Sequence, residues 1–247
     1  MGLRDLSESS WPPGDGFGSV PIAMADAIKA VLWDIDGTLL TTGGAGAVAW
    51  QRAFGDLYGV EANIDENTRA GMTDPEITEI IFAQVVGREG TAEEHAAVVA
   101  KYLEYMPDAV AKSSGYRVMP GIEEILPRLA EAGIVQGIVS GNVEPAARIK
   151  LERGDLNKYL SFGGFGSDDR DRTKVTERAI ERGGEAAGAP LEFAATISVG
   201  DTPRDVSAGH GAGIRVVGVA TGSYSLAEQE EAGADWAIET VADGFPI

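Results

Sequence analysis

Apolar positions along this chain follow two rhythms: short unbroken runs that suit buried strands, and three-to-four-residue spacings that suit one face of a helix. The run 29–33 reads as the first strand. After Leu40 only the helical rhythm continues. Trp50, Ala53, Phe54, Leu57 and Tyr58 share one face, and Ile77, Ile80, Ile81 and Val85 share another. Thr73, Asp74, Pro75 and Glu76 read as the start of that second helix, with a second reading of Asp74 as a residue that faces substrate. A third helix opens at a capping box between Thr91 and Glu94, carries Val98, Val99, Tyr102, Leu103 and Met106, and is expected to end at Pro107. No strand signal interrupts these helices, so they form an all-helical lobe inserted after the first strand.

From Pro120 onward the two rhythms alternate, as a parallel sheet with crossover helices requires. Ile122, Ile125, Leu126 and Leu129 mark a helix stopped by Gly133. Pro127 within it costs about 3 kcal/mol beyond the first turn, which predicts a kink or a later start. Strands are expected over 134–139, 195–199, 214–219 and, briefly, 236–238, with a short apolar element over 160–165. Helices near Pro145 to Gly154 and Thr173 to Arg182 lie between them.

Length and charge narrow the picture. The 247 residues suffice for a large core plus a smaller insert. Twenty basic against 39 acidic residues give a net charge of −19, and no Lys or Arg run stands out, so nucleic acid is repelled over most of the surface. A small anion fits only where a cation and one or two basic residues reverse the field. The absence of cysteine excludes disulfides, thiolate metal sites and a cysteine nucleophile. No apolar stretch approaches the ~20 residues of a membrane span, and the first residues lack the pattern of a secretory signal; a cytoplasmic location without membrane partners is expected. Residues 1–24, rich in Ser, Pro and Gly, read as a loose extension, with Met24 an alternative start.

The candidate chemistry sits where strands end. Asp34 and Asp36 follow the first strand directly; if the chain stays extended they project to the same side ~7 Å apart, within reach of one cation or one substrate. Gly37 permits a tight turn, and the Thr38 hydroxyl is placed to orient a carboxylate. Two later strands end in Ser140, Gly141 and Asn142, and in Asp201 and Asp205. Ligands collect outside the carboxyl ends of such a sheet. Asp34, Asp201 and the Asp36 backbone carbonyl suit Mg²⁺, and Ser140 before a helix N-terminus suits phosphate oxygens. Plain structural readings stand beside these. Ser140 and Asn142 could cap a helix, and Asp205 could serve a helix first turn behind Thr202 and Pro203. The glycines between Gly43 and Gly46 could be an ordinary turn or a hinge. His95 and His210 have no partner spacing for a metal.

The segments DIDGTLL at 34–40, SGN at 140–142 and VGDTPRDV at 199–206 resemble three motifs of the haloacid dehalogenase superfamily, specifically its phosphoglycolate phosphatase-like members with a helical cap inserted after the first motif. The resemblance implies an α/β fold: a Rossmann-like parallel core with the first strand central, over 25–41 and 118–247, and an all-helical cap over 42–117. It implies a Mg²⁺-dependent phosphatase acting on a small phosphorylated metabolite, with Asp34 as nucleophile and Asp36 as general acid and base. Mg²⁺ would be held by Asp34, the Asp36 carbonyl and Asp201, with Asp205 and Thr38 supporting and Ser140, Gly141 and Asn142 on the phosphoryl group. The family's Lys-Pro pair is missing; Arg172 is the preferred substitute, with Lys174 and Arg170 as alternatives. A carboxylate at Asp36 argues against dehalogenation, and the lack of lysine in the first cap helix argues against phosphonate hydrolysis. A sugar phosphomutase and a non-catalytic phospho-ligand or partner-binding module are the rival functions.

Removal of residues 1–23 is expected to leave stability and activity unchanged; a large loss of either in the truncated protein would overturn the reading of that stretch as an extension.

Overall fold

The computed structural model describes residues 28–247, so the extension over 1–24 and the start at Met24 lie outside the described residues. Eight strands are placed. Six make one parallel sheet in the order β5 (Gly163–Phe165), β4 (Val135–Ser140), β1 (Ala30–Trp33), β6 (Thr196–Gly200), β7 (Arg215–Val219), β8 (Trp236–Ile238). β1 is central and wholly buried because both its edges are paired: Trp33 lies opposite Ile138 of β4 and Val199 of β6.

The strand period of two divides β1 between two cores. Val31 and Trp33 face one, formed with Ile122, Ile125, Leu126 and Leu129 of α5 (Ile122–Glu131) and Leu151 of α6 (Glu144–Glu152). Leu32 faces the other, with Val175, Ala179 and Ile180 of α7 (Arg172–Ala187) and with Ala212, which follows α8 (Pro203–Gly211). Trp33 stacks on Phe245 at 5.2 Å and donates its indole N–H to Gln136 at 3.3 Å, so the largest core side chain has its one polar atom satisfied.

Between β1 and β4 lies the helical insertion: α1 (Ala45–Tyr58), α2 (Ile64–Asn67), α3 (Asp74–Ile81) continued by one wider turn over Phe82–Val86, and α4 (Ala92–Lys112). Its own core centres on Trp50 stacked on Tyr102 at 4.0 Å and Phe54 edge-on to Phe82. Both chain crossings into it are short antiparallel strands, β2 (Leu40–Thr41) and β3 (Arg117–Val118), two residues each and too short to show any period in the sequence. Gly43 and Gly115 meet there; a Cβ on Gly43 would lie 2.4 Å from the Gly115 Cα.

Three expectations need correction. α4 does not end at Pro107 but runs on to Lys112. Val98, Tyr102, Met106 and Val110 form one buried stripe through the proline, and Arg153 donates to the Val110 and Ser113 carbonyls at the helix end. Packing therefore outweighs the backbone hydrogen bond that proline cannot make. α5 likewise starts at Ile122 and passes through Pro127 to Glu131, its four apolar anchors all buried. Leu57 is 41% exposed, at the edge of the face that Trp50, Ala53 and Phe54 bury.

β5 and α7 approach closely through their backbones, with Arg182 also donating to the Gly163 carbonyl at 2.6 Å: a Cβ on Gly164 would lie 1.9 Å from the Val175 carbonyl oxygen. Gly164→Ala should therefore destabilise the fold by about 1–3 kcal/mol in urea unfolding, and an unchanged midpoint would contradict this packing.

Candidate active site

β1 delivers Asp34 to the site while still in sheet register, its N–H donating to the Val199 carbonyl at 2.9 Å. The chain then turns: the N–H groups of Leu39 and Leu40 both point at the Ile35 carbonyl, 3.0 Å away. Gly37 holds this turn at φ 92°, and a Cβ there would sit 2.4 Å from Asp201 Oδ2. Glycine is thus required twice over, by conformation and by the approach of a carboxylate. Gly222 closes on Asp201 from another direction, its notional Cβ only 1.7 Å from Oδ2. Thr38 donates to Asp201 Oδ1 at 3.4 Å, so the carboxylate it orients is that of Asp201.

Asp34, Asp201 and Asp205 are buried, and one carboxylate oxygen of each lies within 4.8 Å of the others. One cation faces them. Arg172, the first residue of α7, donates from Nη2 to Asp34 Oδ1 at 3.1 Å and to Asp205 Oδ1. Arg170 and Lys174 point elsewhere, to Glu79 at 2.8 Å and Asp169 at 3.5 Å, each about three-fifths exposed. Asp205 also closes the capping box of α8, accepting from Thr202 N–H at 3.0 Å and Thr202 Oγ1 at 2.7 Å. With both Asp205 oxygens engaged, Asp34 and Asp201 are the carboxylates left open.

Three carboxylates against one guanidinium leave the site short of positive charge. Burial, then the Asp205 charge, push Asp34 up to about 8 even though Arg172 pulls it down. Burial, then Asp34 and Asp205, push Asp201 up to about 9. All donors are hard oxygens, and Gly37 and Gly222 let the Asp201 carboxylate lie close against the backbone at the strand ends. This set fits a hard divalent cation.

The third strand end completes the site. Ser140 is the buried last residue of β4; its Oγ accepts from the Asn142 side chain at 2.8 Å and more weakly from Asn142 N–H at 3.4 Å. Neither residue caps α6, since Val143 occupies the cap position without a side-chain bond. Asp36, unlike Asp34, is half-exposed, and its Oδ2 accepts from Asn142 Nδ2 at 2.7 Å. The same oxygen accepts from Lys150 at 2.6 Å, a buried cation of α6 that the sequence reading passed over. Its signal was there: Lys150 shares the buried face of α6 with Ala146, Ala147 and Leu151, an odd place for a charge.

Asp74 does start α3 beside the capping box of Thr73 and Glu76, but its own carboxylate is buried and accepts from Val143 N–H at 2.7 Å. Its N–H donates to the Gly141 carbonyl at 2.8 Å, so the insertion is docked on the 140–143 loop. Burial raises its pKa to about 6. Arg204 to Glu76 at 2.9 Å adds a further tie between insertion and core. His95 stacks on Phe82 and His210 meets Asp235 at 3.0 Å, both away from the carboxylates.

The haloacid dehalogenase-like hydrolase family matches residues 31–219, which include the strand ends that carry Asp34, Ser140 and Asp201. The chain belongs to this family. A phosphoglycolate phosphatase of Rhodospirillum rubrum is 30% identical over 201 residues, covering 76% of this chain and 78% of its own. A phosphoglycolate phosphatase of Synechococcus elongatus is 24% identical over 87% of this chain and 95% of its own. In fold, this hydrolase is similar to CbbY from Rhodobacter sphaeroides, solved in complex with phosphate, with a TM-score of 0.67 at 20% identity over 87% of this chain and 96% of that one. Among the described residues, no helix of the hydrolase is long and apolar enough to cross a membrane.

The raised carboxylates set a pH-dependent signature. Because Asp34 is moved from 3.8 up to about 8 on folding, the metal-free protein loses stability as pH rises through that window. A cation needs the ionised carboxylates, so its stabilisation grows over the same window. The rise in melting temperature on adding Mg²⁺ should be larger at about pH 8 than at about pH 5.5. Equal shifts at both would contradict the site's electrostatics.

Proposed function

We propose that this hydrolase is a Mg²⁺-dependent phosphatase that cleaves a small phosphate monoester through an aspartyl-phosphate on Asp34. The observation that carries the reading is the buried Asp34, held at one oxygen by Arg172 and clustered with Asp201 and Asp205, beside a second, solvent-reaching carboxylate at Asp36. The names of the curated relatives support the choice of phosphoryl chemistry and make phosphoglycolate the first ester to try.

In this mechanism the free oxygen of Asp34 attacks phosphorus while the bond to the ester oxygen breaks, and Asp36 gives its proton to that departing oxygen. Asp36, now ionised, takes a proton from water as the water attacks the phosphoaspartate, and the Asp34–phosphorus bond breaks to release phosphate. Arg172 restrains Asp34 and offers its buried Nε, which has no partner among the described residues, to a phosphoryl oxygen. Ser140 Oγ already accepts from Asn142, so its own proton remains free for the phosphoryl group. Mg²⁺ held by Asp34, Asp201 and the Asp36 carbonyl would offset the repulsion between carboxylate and phosphate. The helical insertion acts as a cap, keeping bulk water from the phosphoaspartate through the Asp74 and Arg204 contacts.

A panel of phosphate esters assayed with and without Mg²⁺ tests this reading. Phosphate release that depends on Mg²⁺ is expected; isomerisation of a sugar phosphate without release would make the protein a mutase, and binding without reaction a phospho-ligand module. Asp34→Asn should lower turnover by on the order of 10³-fold or more with the fold retained. Arg172→Ala should cost roughly 10²–10³-fold while Lys174→Ala stays near wild type, and an active Arg172→Ala enzyme would remove that residue from the role.

A further inference from the structure

We propose that Lys150 is a positioning residue that aims the Asp36 carboxylate at the leaving oxygen, an inference that rests on the phosphatase reading. Its ammonium donates at 2.6 Å to Asp36 Oδ2 and at 2.6 Å to Asn142 Oδ1, and Asn142 Nδ2 donates at 2.7 Å to that same Asp36 oxygen. The three side chains close a ring. Its geometry is asymmetric: both donors converge on Oδ2, which leaves Oδ1 as the oxygen that meets the substrate.

Burial shows where the constraint originates. The Lys150 side chain is 6% exposed, whereas that of Asp36 is 45% exposed. A half-exposed aspartate at the end of a turn has free rotation to lose, and the fixed partner is the lysine, which is buried along α6 together with Ala146, Ala147 and Leu151 and whose carbonyl accepts from Tyr116 Oη at 3.0 Å. Packing alone does not call for lysine at this position. A buried ammonium carries a desolvation penalty of several kcal/mol, and an apolar residue of similar volume would fill the space without it. The charge is satisfied by Asp36 and Asn142, and it also reaches the buried Asp74 of the insertion, where it works against the effect of burial. Lys150 thus bonds the proton-transfer carboxylate and acts through its charge on the residue by which the insertion docks.

The chemical consequence is confined to steps that use Asp36. In the first step the Asp36 proton moves to the ester oxygen as the phosphorus–oxygen bond breaks and its electron pair goes to that oxygen. An alkoxide needs that proton; a nitrophenolate leaves without it. Loss of aim therefore slows attack on an alkyl ester and spares attack on 4-nitrophenyl phosphate. The second step, deprotonation of water, slows for both.

Lys150→Met and Lys150→Arg, each checked for melting temperature, should be compared with wild type in single-turnover and burst experiments on phosphoglycolate or another alkyl ester that wild type hydrolyses and on 4-nitrophenyl phosphate. For Lys150→Met we expect phosphorylation by the alkyl ester to fall about 10²-fold, with the nitrophenolate burst within a few-fold of wild type and its steady state reduced. Lys150→Arg, which keeps the charge and displaces its position, should show a smaller loss with the same selectivity; it carries the test if Lys150→Met does not fold. Equal losses on the two esters before the water step, or no loss on either, would overturn the assignment while the phosphatase reading stands. A wild-type enzyme that releases phosphate from neither would remove both.

Discussion

One guanidinium among three buried carboxylates is the constraint on which the site depends. Arg172 reaches Asp34 and Asp205 at once, yet burial, and then the repulsion among the carboxylates, outweigh its pull, so Asp34 and Asp201 are held far above the ordinary carboxylate range. A purely structural network would not be expected to leave two acids so costly to ionise. An added positive charge would offset this shortfall, and the proposed Mg²⁺ would supply it.

The sheet converts this local electrostatics into a site. Parallel strands all end on one side, and β1 has β4 and β6 as its immediate neighbours, so the residues after Trp33, Val139 and Gly200 meet although they lie far apart in sequence. Helix phase selects the cation. Arg172 opens α7 above the strand ends, whereas Lys174, two residues later, is turned roughly 200° around the axis and faces solvent. The insertion bonds directly to the backbone of the 140–143 loop beside these strand ends.

Most of the sheet was legible because buried strands announce themselves as apolar runs followed by small or acidic residues, as at Asp34, Ser140 and Asp201. The starts of α3, α4 and α8 were legible for a similar reason: Thr73, Thr91 and Thr202 each sit three residues before an acid, and all three form capping boxes. What escaped depends on partners distant in sequence. Pro107 reads as a helix stop until the stripe from Val98 to Val110 is seen packed, and the use of Lys150 shows only when Asp36, 114 positions away, is found against it. Asp74 reads as a cap residue, and only the fold reveals that its carboxylate belongs to the seam between insertion and core.

The central claim is that Asp34 forms a covalent bond to the transferred phosphoryl group. The most direct measurement is rapid acid quench during turnover, followed by mass spectrometry of the peptide that contains residues 28–40. One added phosphoryl group on Asp34 is expected, lost on raising the pH as an acyl phosphate is, and absent from Asp34→Asn. Turnover with no added mass on that peptide, or with the group on another residue, would contradict it.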